Sequence, residues 1–123
     1  MIEKEVSILS KGIQLSGTLC LPSKKGNFPT ILWLQGSGPI DRNDNIPGQE
    51  LNNSKLIAHH LADNGIASLR FDKRGVGKST GNYLSAGHSD LVDDGLSCLR
   101  FLAESDNCDT HSLFVVGHNK GAI

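Results

Sequence analysis

The sequence has no long apolar run and no excess of charge of either sign. No apolar stretch approaches the length of a membrane span, and residues 1–5 are too polar and acidic to open a secretory signal. Lys and Arg number 12 against 13 Asp and Glu, so the formal charge of −1 predicts no basic surface for nucleic acid or an anionic membrane. We therefore expect a cytoplasmic protein that binds neither nucleic acid nor a membrane.

Cysteine and proline are also scarce. The cysteines, Cys20, Cys98 and Cys108, are odd in number and widely spaced, which argues against a disulfide framework and shows no paired metal-ligand spacing. We expect neither a metal nor another cofactor. Four prolines, 37% apolar and 20% charged residues are typical of a globular protein. With 123 residues the chain is long enough for one domain with a core, which we place at residues 1–123.

Apolar residues alternate with polar ones over residues 13–21, which predicts a half-buried strand. Residues 3–9 are its predicted hairpin partner, since Ser10, Lys11 and Gly12 lie between them. Residues 30–34 are continuously apolar, as expected of a strand covered on both faces.

Helical spacing of apolar residues predicts helices over residues 54–64 and 91–103. Ser89 is the predicted N-cap of the second helix, and Asp90 would complement its positive end. Strands are predicted at residues 66–71 and 113–116, with residues 106–110 as the lead into the last one. The order β-β-β-α-β-α-β predicts an α/β sheet that is parallel after its first hairpin, with right-handed crossovers.

The last predicted strand runs directly into Gly117-x-x-x-Gly121, with apolar residues after it. A strand that feeds a tight glycine-flanked turn into a helix is typical of a nucleophile elbow, where the central residue is usually Ser. Here the central residue is Asn119. A carboxamide has no ionisable hydroxyl or thiol, so a neighbouring base cannot turn it into a useful nucleophile.

Glycine-rich loops also follow the two earlier parallel strands, at the sheet edge where ligands bind in open α/β sheets. Residues 35–39 could let backbone N–H groups converge on an oxyanion. Residues 77–79 end like a phosphate loop, but Asp72 stands where that pattern requires Gly. Residues 41–45 begin like a calcium loop, but Ile46 stands in place of the required Gly, so a solvated turn is expected instead.

Three motifs in this order resemble the N-terminal half of an α/β-hydrolase, most closely the bacterial carboxylesterases and acyl hydrolases. They are Gly36-Ser37-Gly38-Pro39 with Asp41-Arg42, then Asp72-Lys73-Arg74-Gly75-x-Gly77-x-Ser79, then Gly117-His118-Asn119-Lys120-Gly121. The resemblance implies about half of that fold. It places Asn119 at the nucleophile position and assigns the oxyanion-hole N–H groups to Ser37 and Lys120. It also implies that Arg74 ties neighbouring loops together, and it puts Gln35 where many relatives have His.

In this resemblance the catalytic acid and base follow the elbow, beyond the end of the sequence at residue 123. We therefore expect a relative of serine esterases, which act on small-molecule esters through an acyl-enzyme, whose catalysis is impaired. The alternative is a non-catalytic binding or assembly module. A sheet that stops after its fifth strand leaves an edge and an apolar face uncovered, so a homodimer or higher oligomer is expected.

Overall fold

The computed structural model of the chain describes residues 1–35, 39–43, 45 and 52–117. These residues form strands β1 Ile2–Ser10, β2 Ile13–Leu21 and β3 Phe28–Leu34, helix α1 Asn53–Asp63, strand β4 Ala67–Phe71, helix α2 His88–Ala103 and strand β5 Cys108–Gly117. The predicted order of strands and helices is confirmed. Within this part of the chain, neither helix is long and apolar enough to cross a bilayer.

The five strands form one mixed sheet in the order β1-β2-β4-β3-β5. Strand β2 is antiparallel to β1 on one side and to β4 on the other, whereas β3 is parallel to both β4 and β5. The sheet is therefore antiparallel at its N-terminal end and parallel beyond it, as predicted. Because β3, β4 and β5 run in the same direction, the loops that follow them leave from one edge of the sheet.

The N-terminal hairpin has an unbroken register from Ile2 opposite Leu21 to Ser10 opposite Ile13. Its two-residue turn consists of Lys11 and Gly12, with φ of 45° and 86°. Positive φ at both central positions is the geometry that matches the right-handed twist of paired strands, and glycine adopts it without strain. The hairpin predicted from the alternating pattern is confirmed, and β1 extends one residue further at each end.

The two helices cover opposite faces of the sheet. Leu19 and Leu21 of β2 lie in the main core with Cys98 and Leu102 of α2. Cys20, which points to the other face, lies in a second buried cluster with Ala58 and Ala62 of α1. Both faces of β2 are thus buried at its end, because successive side chains of a strand point to opposite faces.

The start of α2 differs from the prediction. Its N-cap is Gly87, and the carboxylate of Asp90 accepts a hydrogen bond of 2.9 Å from the Gly87 N–H. Ser89 lies inside the first turn, so its assignment as the N-cap is wrong. The Asp90 side chain reaches back to satisfy the cap N–H, and the helix therefore begins earlier than the serine suggests.

Strand β5 is longer than predicted and begins at Cys108 rather than after the lead over residues 106–110. Cys108 is aligned with Phe28 of β3, and an irregularity in the register separates this pair from Thr30 opposite Leu113. The side chains of residues 110 and 111 are exposed. Polar side chains made this stretch resemble a loop, but backbone pairing does not require apolar side chains.

Candidate active site at the carboxyl edge of the sheet

The three site residues predicted from the sequence, Ser37, Asn119 and Lys120, lie outside the described residues. The structure does describe the points from which their segments leave the sheet. Leu34, at the end of β3, is the register partner of Gly117, at the end of β5. The segments that carry Ser37 and Asn119 therefore begin on neighbouring strands at the same edge.

Gln35, the first residue after β3, is buried, with 3% of its surface exposed. Its Nε2 donates hydrogen bonds to the carbonyl oxygens of Phe71, at the end of β4, and of Asp41, at 3.2 Å. Both bonds need an N–H donor, so the orientation of the amide is fixed. Gln35 thus joins the ends of β3 and β4 and the first residue of the Asp41-Arg42 pair.

The turn at Asp41 is organised by its own carboxylate. Oδ1 of Asp41 accepts hydrogen bonds from the N–H groups of Asn43 at 2.9 Å and Asn45 at 3.0 Å. The Asp41 N–H in turn donates to the carbonyl of Asn45 at 3.0 Å. This is a side-chain-stabilised turn. The expected solvated turn is wrong for its second residue, because only 8% of Arg42 is exposed.

The Arg42 side chain can be buried because its guanidinium binds the carboxylate of Asp72. Nη2 lies 2.8 Å from Oδ2 of Asp72, Nε donates to Oδ1 at 3.2 Å, and the backbone N–H of Arg42 donates to the same Oδ1 at 2.8 Å. The remaining donors reach Glu5, the hydroxyl of Thr18 at 3.0 Å and the hydroxyl of Ser16 at 2.6 Å. Arg42 therefore links the loop after β3 to β1, β2 and the end of β4.

Asp72 is the acceptor at the centre of this network. Its Oδ2 also accepts the Lys78 N–H at 3.0 Å, and its backbone oxygen accepts the Ser79 hydroxyl at 2.6 Å. Burial alone would raise the pKa of the Asp72 carboxyl, but the hydrogen bonds from Arg42 and Lys78 outweigh it and the pKa is lowered. The first residue of this loop thus holds the loop in place through its own carboxylate and carbonyl oxygens.

The resemblance implied that Arg74 ties neighbouring loops together, but among the described residues its guanidinium binds a helix instead. Its Nε and Nη2 donate to the two carboxylate oxygens of Asp94 at 2.8 and 2.7 Å, and Asp94 lies within α2. Ser10, at the end of β1, donates to the same carboxylate at 2.7 Å. The helix supplies the acceptor because α2 crosses the sheet directly beside this loop.

A cavity of about 510 Å³ lies beside these loops on the α2 face of the sheet. Its wall includes apolar residues of β3, β4 and β5 and of successive turns of α2, namely Leu32, Leu34, Phe71, Val115, Leu91, Val92, Leu96 and Leu99. Gln35 and Lys73 line the cavity as well, and the Lys73 ammonium lies 5.9 Å from the centre of the Tyr83 ring. The carboxyl edge therefore combines an apolar wall with a few polar side chains, as small-molecule sites commonly do.

Within the described ranges, no group of three or more His, Cys, Asp or Glu side chains is placed to hold a metal ion. The three cysteines are buried and unpaired with one another. Burial, with a contribution from the Asp94 carboxylate, raises the pKa of the Cys98 thiol to about 12. These thiols are therefore core side chains, and none is activated for nucleophilic attack.

The family described as serine aminopeptidase, S33 matches this chain over residues 48–123, a span that contains α1, β4, α2 and β5. The chain belongs to this family of α/β-hydrolases. The resemblance expected from the three motifs is confirmed, and so is the fold class.

Several α/β-hydrolases are similar to the chain over nearly its whole length. Esterase EstD of Thermotoga maritima is 28% identical over 121 residues, which are 98% of this chain and 27% of the esterase. The α/β-hydrolase GrgF from Penicillium sp. sh18 superposes with a TM-score of 0.81 at 20% identity, covering 98% of this chain and 39% of that protein. Est1E from Butyrivibrio proteoclasticus, solved with ferulic acid bound, superposes with a TM-score of 0.77 at 20% identity, covering 94% of this chain and 43% of that protein.

The chain thus spans between about a quarter and less than half of the length of these relatives. At these identities the solved structures show that the α/β-hydrolase fold is shared. The shared part contains the N-terminal hairpin and the parallel strands.

Sequence reasoning did not identify two residues that organise this edge of the hydrolase fold, Gln35 and Arg42. Both lie in or beside the first glycine-rich motif, where the glycines favour a role for backbone N–H groups and say nothing of the side chains. A usable signal was present, because Arg42 is the cation of that motif and Asp72 is the anion of the next. Two motifs that follow adjacent parallel strands meet at one edge, so opposite charges in the two motifs predict an ion pair.

Proposed function

We propose that the chain carries the acyl-ester recognition geometry of a carboxylic ester hydrolase and that its catalysis is impaired. Asn119 would occupy the nucleophile position, and the backbone N–H groups of Ser37 and Lys120 would bind the carbonyl oxygen of a small-molecule ester. A carboxamide does not form an acyl-enzyme, so the step that starts turnover in the serine esterases would not occur.

One observation carries this proposal, the register pairing of Leu34 with Gly117. The segments that follow them contain one oxyanion donor and the nucleophile position with the other donor. An oxyanion hole needs donors from these two segments within hydrogen-bonding reach of one oxygen atom. Because the two segments start at paired positions on the same edge of the sheet, their N–H groups can reach one oxygen atom. Membership of the hydrolase family supports the same assignment.

The proposed oxyanion hole can be tested with a nucleophile that depends little on a catalytic base. Cysteine is such a nucleophile, because its thiolate is already populated near neutral pH. The Asn119→Cys variant is treated with p-nitrophenyl acetate, and the matched control is Thr110→Cys, at an exposed position of β5. Rates are compared per thiolate, with the thiol pKa taken from the pH profile of each variant.

We expect the thiol at position 119 to be acylated at least about 100-fold faster than the control thiol, the typical contribution of one oxyanion donor. Equal rates per thiolate would overturn the proposed oxyanion hole. The chain with Asn119 and an Asn119→Ala variant should release p-nitrophenolate no faster than a heat-denatured sample. Sustained turnover by both would contradict the proposed impairment.

A second candidate function is self-association through β5, as a non-catalytic assembly module. Among the described residues, β5 pairs with β3 on one side only, and its Phe114 and Val115 are 57% and 48% exposed, on opposite faces. Val115 also lines the apolar cavity beside α2, so the free edge and the cavity form one continuous surface. Pairing of β5 with β5 of a second copy would cover both, because unpaired edges of this length readily accept another strand.

Sedimentation velocity at micromolar concentration tests this candidate. We expect a homodimer or higher oligomer that dissociates in a Phe114→Lys variant. A Leu56→Lys variant, which changes a side chain of α1 that is 62% exposed and does not line the cavity, should leave the assembly intact. A monodisperse monomer for the unaltered chain would remove the candidate.

The proposal includes a cytoplasmic location, which the three buried and unpaired thiols support. Free thiols persist in a reducing compartment, whereas secreted domains of this size commonly pair them.

A further inference from the structure

We propose that Arg42 is a positioning residue for the candidate oxyanion loop. It fixes the far end of the segment that begins at Gln35 and carries Ser37, so that this segment is held from both ends. The functional meaning of this inference rests on the proposed ester chemistry, whereas the mechanical part, that Arg42 restrains the segment, stands on the described contacts alone.

Arg42 is buried together with its charged partner, Asp72. Its side chain is 9% exposed and that of Asp72 is 4% exposed. Removing a charged pair from water is costly, and replacing such a pair by apolar residues is often neutral or stabilising. Stability alone therefore does not explain why a surface loop directs an arginine inward. A role in fixing the geometry of the loop does explain it.

The acceptors of Arg42 are distributed over several parts of the sheet. Nη1 reaches Glu5 of β1 and Thr18 of β2, Nη2 reaches Ser16 of β2 and Asp72 after β4, and the backbone N–H of Arg42 is held by the same Asp72 carboxylate. The side chain and the backbone of one residue are thus anchored to β1, to β2 and to the first residue after β4. Rotation of the side chain cannot release the loop, because the backbone contact persists.

The other end of the segment, at Gln35, is fixed too. Gln35 follows β3 directly and donates to the carbonyl of Asp41, the residue before Arg42, at 3.2 Å. Gln35 and the Asp41-Arg42 pair therefore belong to one hydrogen-bonded unit. Restraint at both ends reduces the conformations open to the loop, which lowers the entropic cost of presenting an N–H group to a developing oxyanion.

Lysine could not replace these contacts. The planar guanidinium presents Nε, Nη1 and Nη2 in fixed directions, and here each of them has a separate acceptor. A lysine ammonium is a single point donor on a flexible stem, so it could keep the charge but not the bidentate contact with Asp72.

Residue-resolved amide hydrogen exchange, followed by NMR, tests the mechanical part in the full chain. We compare the chain with Arg42→Gln, with Arg42→Lys, and with Arg74→Gln as the matched control. The control also removes an arginine that holds a carboxylate bidentately, but its partner Asp94 lies in α2. Both substitutions should lower the global stability of the chain, so a difference in exchange between them reports on the loop itself.

We expect exchange at residues 36–43 to accelerate at least about tenfold in Arg42→Gln, by less in Arg42→Lys, and within about twofold of the parent in Arg74→Gln. Unchanged exchange at residues 36–43 in Arg42→Gln, or equal acceleration in Arg74→Gln, would overturn the inference. If Arg42→Gln does not fold, the comparison between Arg42→Lys and Arg74→Gln decides it by the same criterion.

A second readout tests the functional part. In the Asn119→Cys background, Arg42→Gln should lower the acylation rate per thiolate at least about tenfold while the thiol pKa from the pH profile stays the same. An unchanged rate beside accelerated exchange would overturn the positioning role. If the thiol at position 119 shows no acceleration over the Thr110→Cys control, the proposed function fails, and amide exchange still decides whether Arg42 restrains the segment.

Discussion

Arg74, in the loop after β4, holds Asp94 of α2 through two hydrogen bonds of 2.8 and 2.7 Å. Ser10 of β1 completes the contact from the other side of the carboxylate, which is 1% exposed. One buried carboxylate thus connects a loop at the carboxyl edge, a helix and the N-terminal hairpin. The position of α2 over the sheet depends on an ionic contact as well as on apolar packing.

The first prediction concerns this carboxylate. Asp94→Asn should lower the free energy of unfolding by about 3 kcal/mol, because it removes the charged acceptor of both Arg74 hydrogen bonds and the Asp90 carboxylate lies farther away, at 3.8 Å. Asp93→Asn is the matched control, since Asp93 pairs at 3.0 Å with Lys11, whose side chain is 73% exposed. The control should change stability by less than about 1 kcal/mol. Urea unfolding followed by the fluorescence of the single tryptophan, Trp33, measures both, and equal losses would contradict the prediction.

The second prediction is a pH dependence from Asp72. Its pKa is lowered in the folded chain from the ordinary value of 3.8, so the folded state binds its proton less readily than the unfolded state does. This stabilisation is complete above pH 3.8 and is lost as the pH falls through the lowered pKa of the folded state.

The stability gap between the chain and Asp72→Asn measures this contribution, because other carboxyl groups titrate in both proteins. We expect the gap in urea unfolding free energy to be constant from pH 7 to about pH 5 and to shrink as the pH falls below about 4. A gap that is the same at about pH 3 and pH 7 would show that the ionised carboxylate of Asp72 stabilises nothing.

The third prediction concerns the turn at Gly75, which has a φ of +75°. A Cβ there would lie 2.8 Å from the carbonyl carbon of Asn82 and closer still to the backbone nitrogen of Tyr83. Gly75→Ala should therefore cost at least about 3 kcal/mol, since backbone must move. Gly12→Ala, with a φ of +86° and nothing within 4 Å of its Cβ, should cost only about 1–2 kcal/mol. Thermal unfolding compares them, and similar losses would mean that φ alone matters at Gly75.

The fourth prediction concerns the reactivity of Cys98. With a pKa of about 12 and a buried side chain, its thiol should not react with a thiol-specific disulfide reagent at pH 8 in the folded chain. Cys20 and Cys108, which are buried and whose pKa values are raised by burial, should be protected as well. After unfolding in urea all three should react, and rapid native labelling of Cys98 would contradict its placement in the core.

The sequence predicted the strands and helices well where local patterns determine them. The bounds of β2 follow from the alternation of Leu15, Leu19 and Leu21 with polar residues, and α2 follows from its amphipathic spacing. The start of β5 could not be predicted in this way, because pairing with Phe28 extends it through polar residues. Backbone pairing between strands that are distant along the chain leaves no pattern in the local sequence.

The candidate site was predicted less completely than the strands and helices. The three loops and their common edge follow from strand order and glycine content. The contact of Arg42 with Asp72 joins residues 30 positions apart, and the failed match to a calcium loop had placed Arg42 in an expected solvated turn. A charged side chain suggests exposure unless its partner is known, and that partner is fixed only when β4 enters the sheet beside β3.

The insertion of β4 between β2 and β3 also governs the order in which the chain can assemble during synthesis. The β1–β2 hairpin is complete by residue 21, but β3 has no strand partner until Ala67–Phe71 have left the ribosome. Strand β3 must therefore wait as an unpaired apolar segment while about 40 further residues are added, which takes several seconds at ordinary rates of translation. This interval is when the nascent chain most needs protection by a chaperone, and it ends when one short central strand joins the two halves of the sheet.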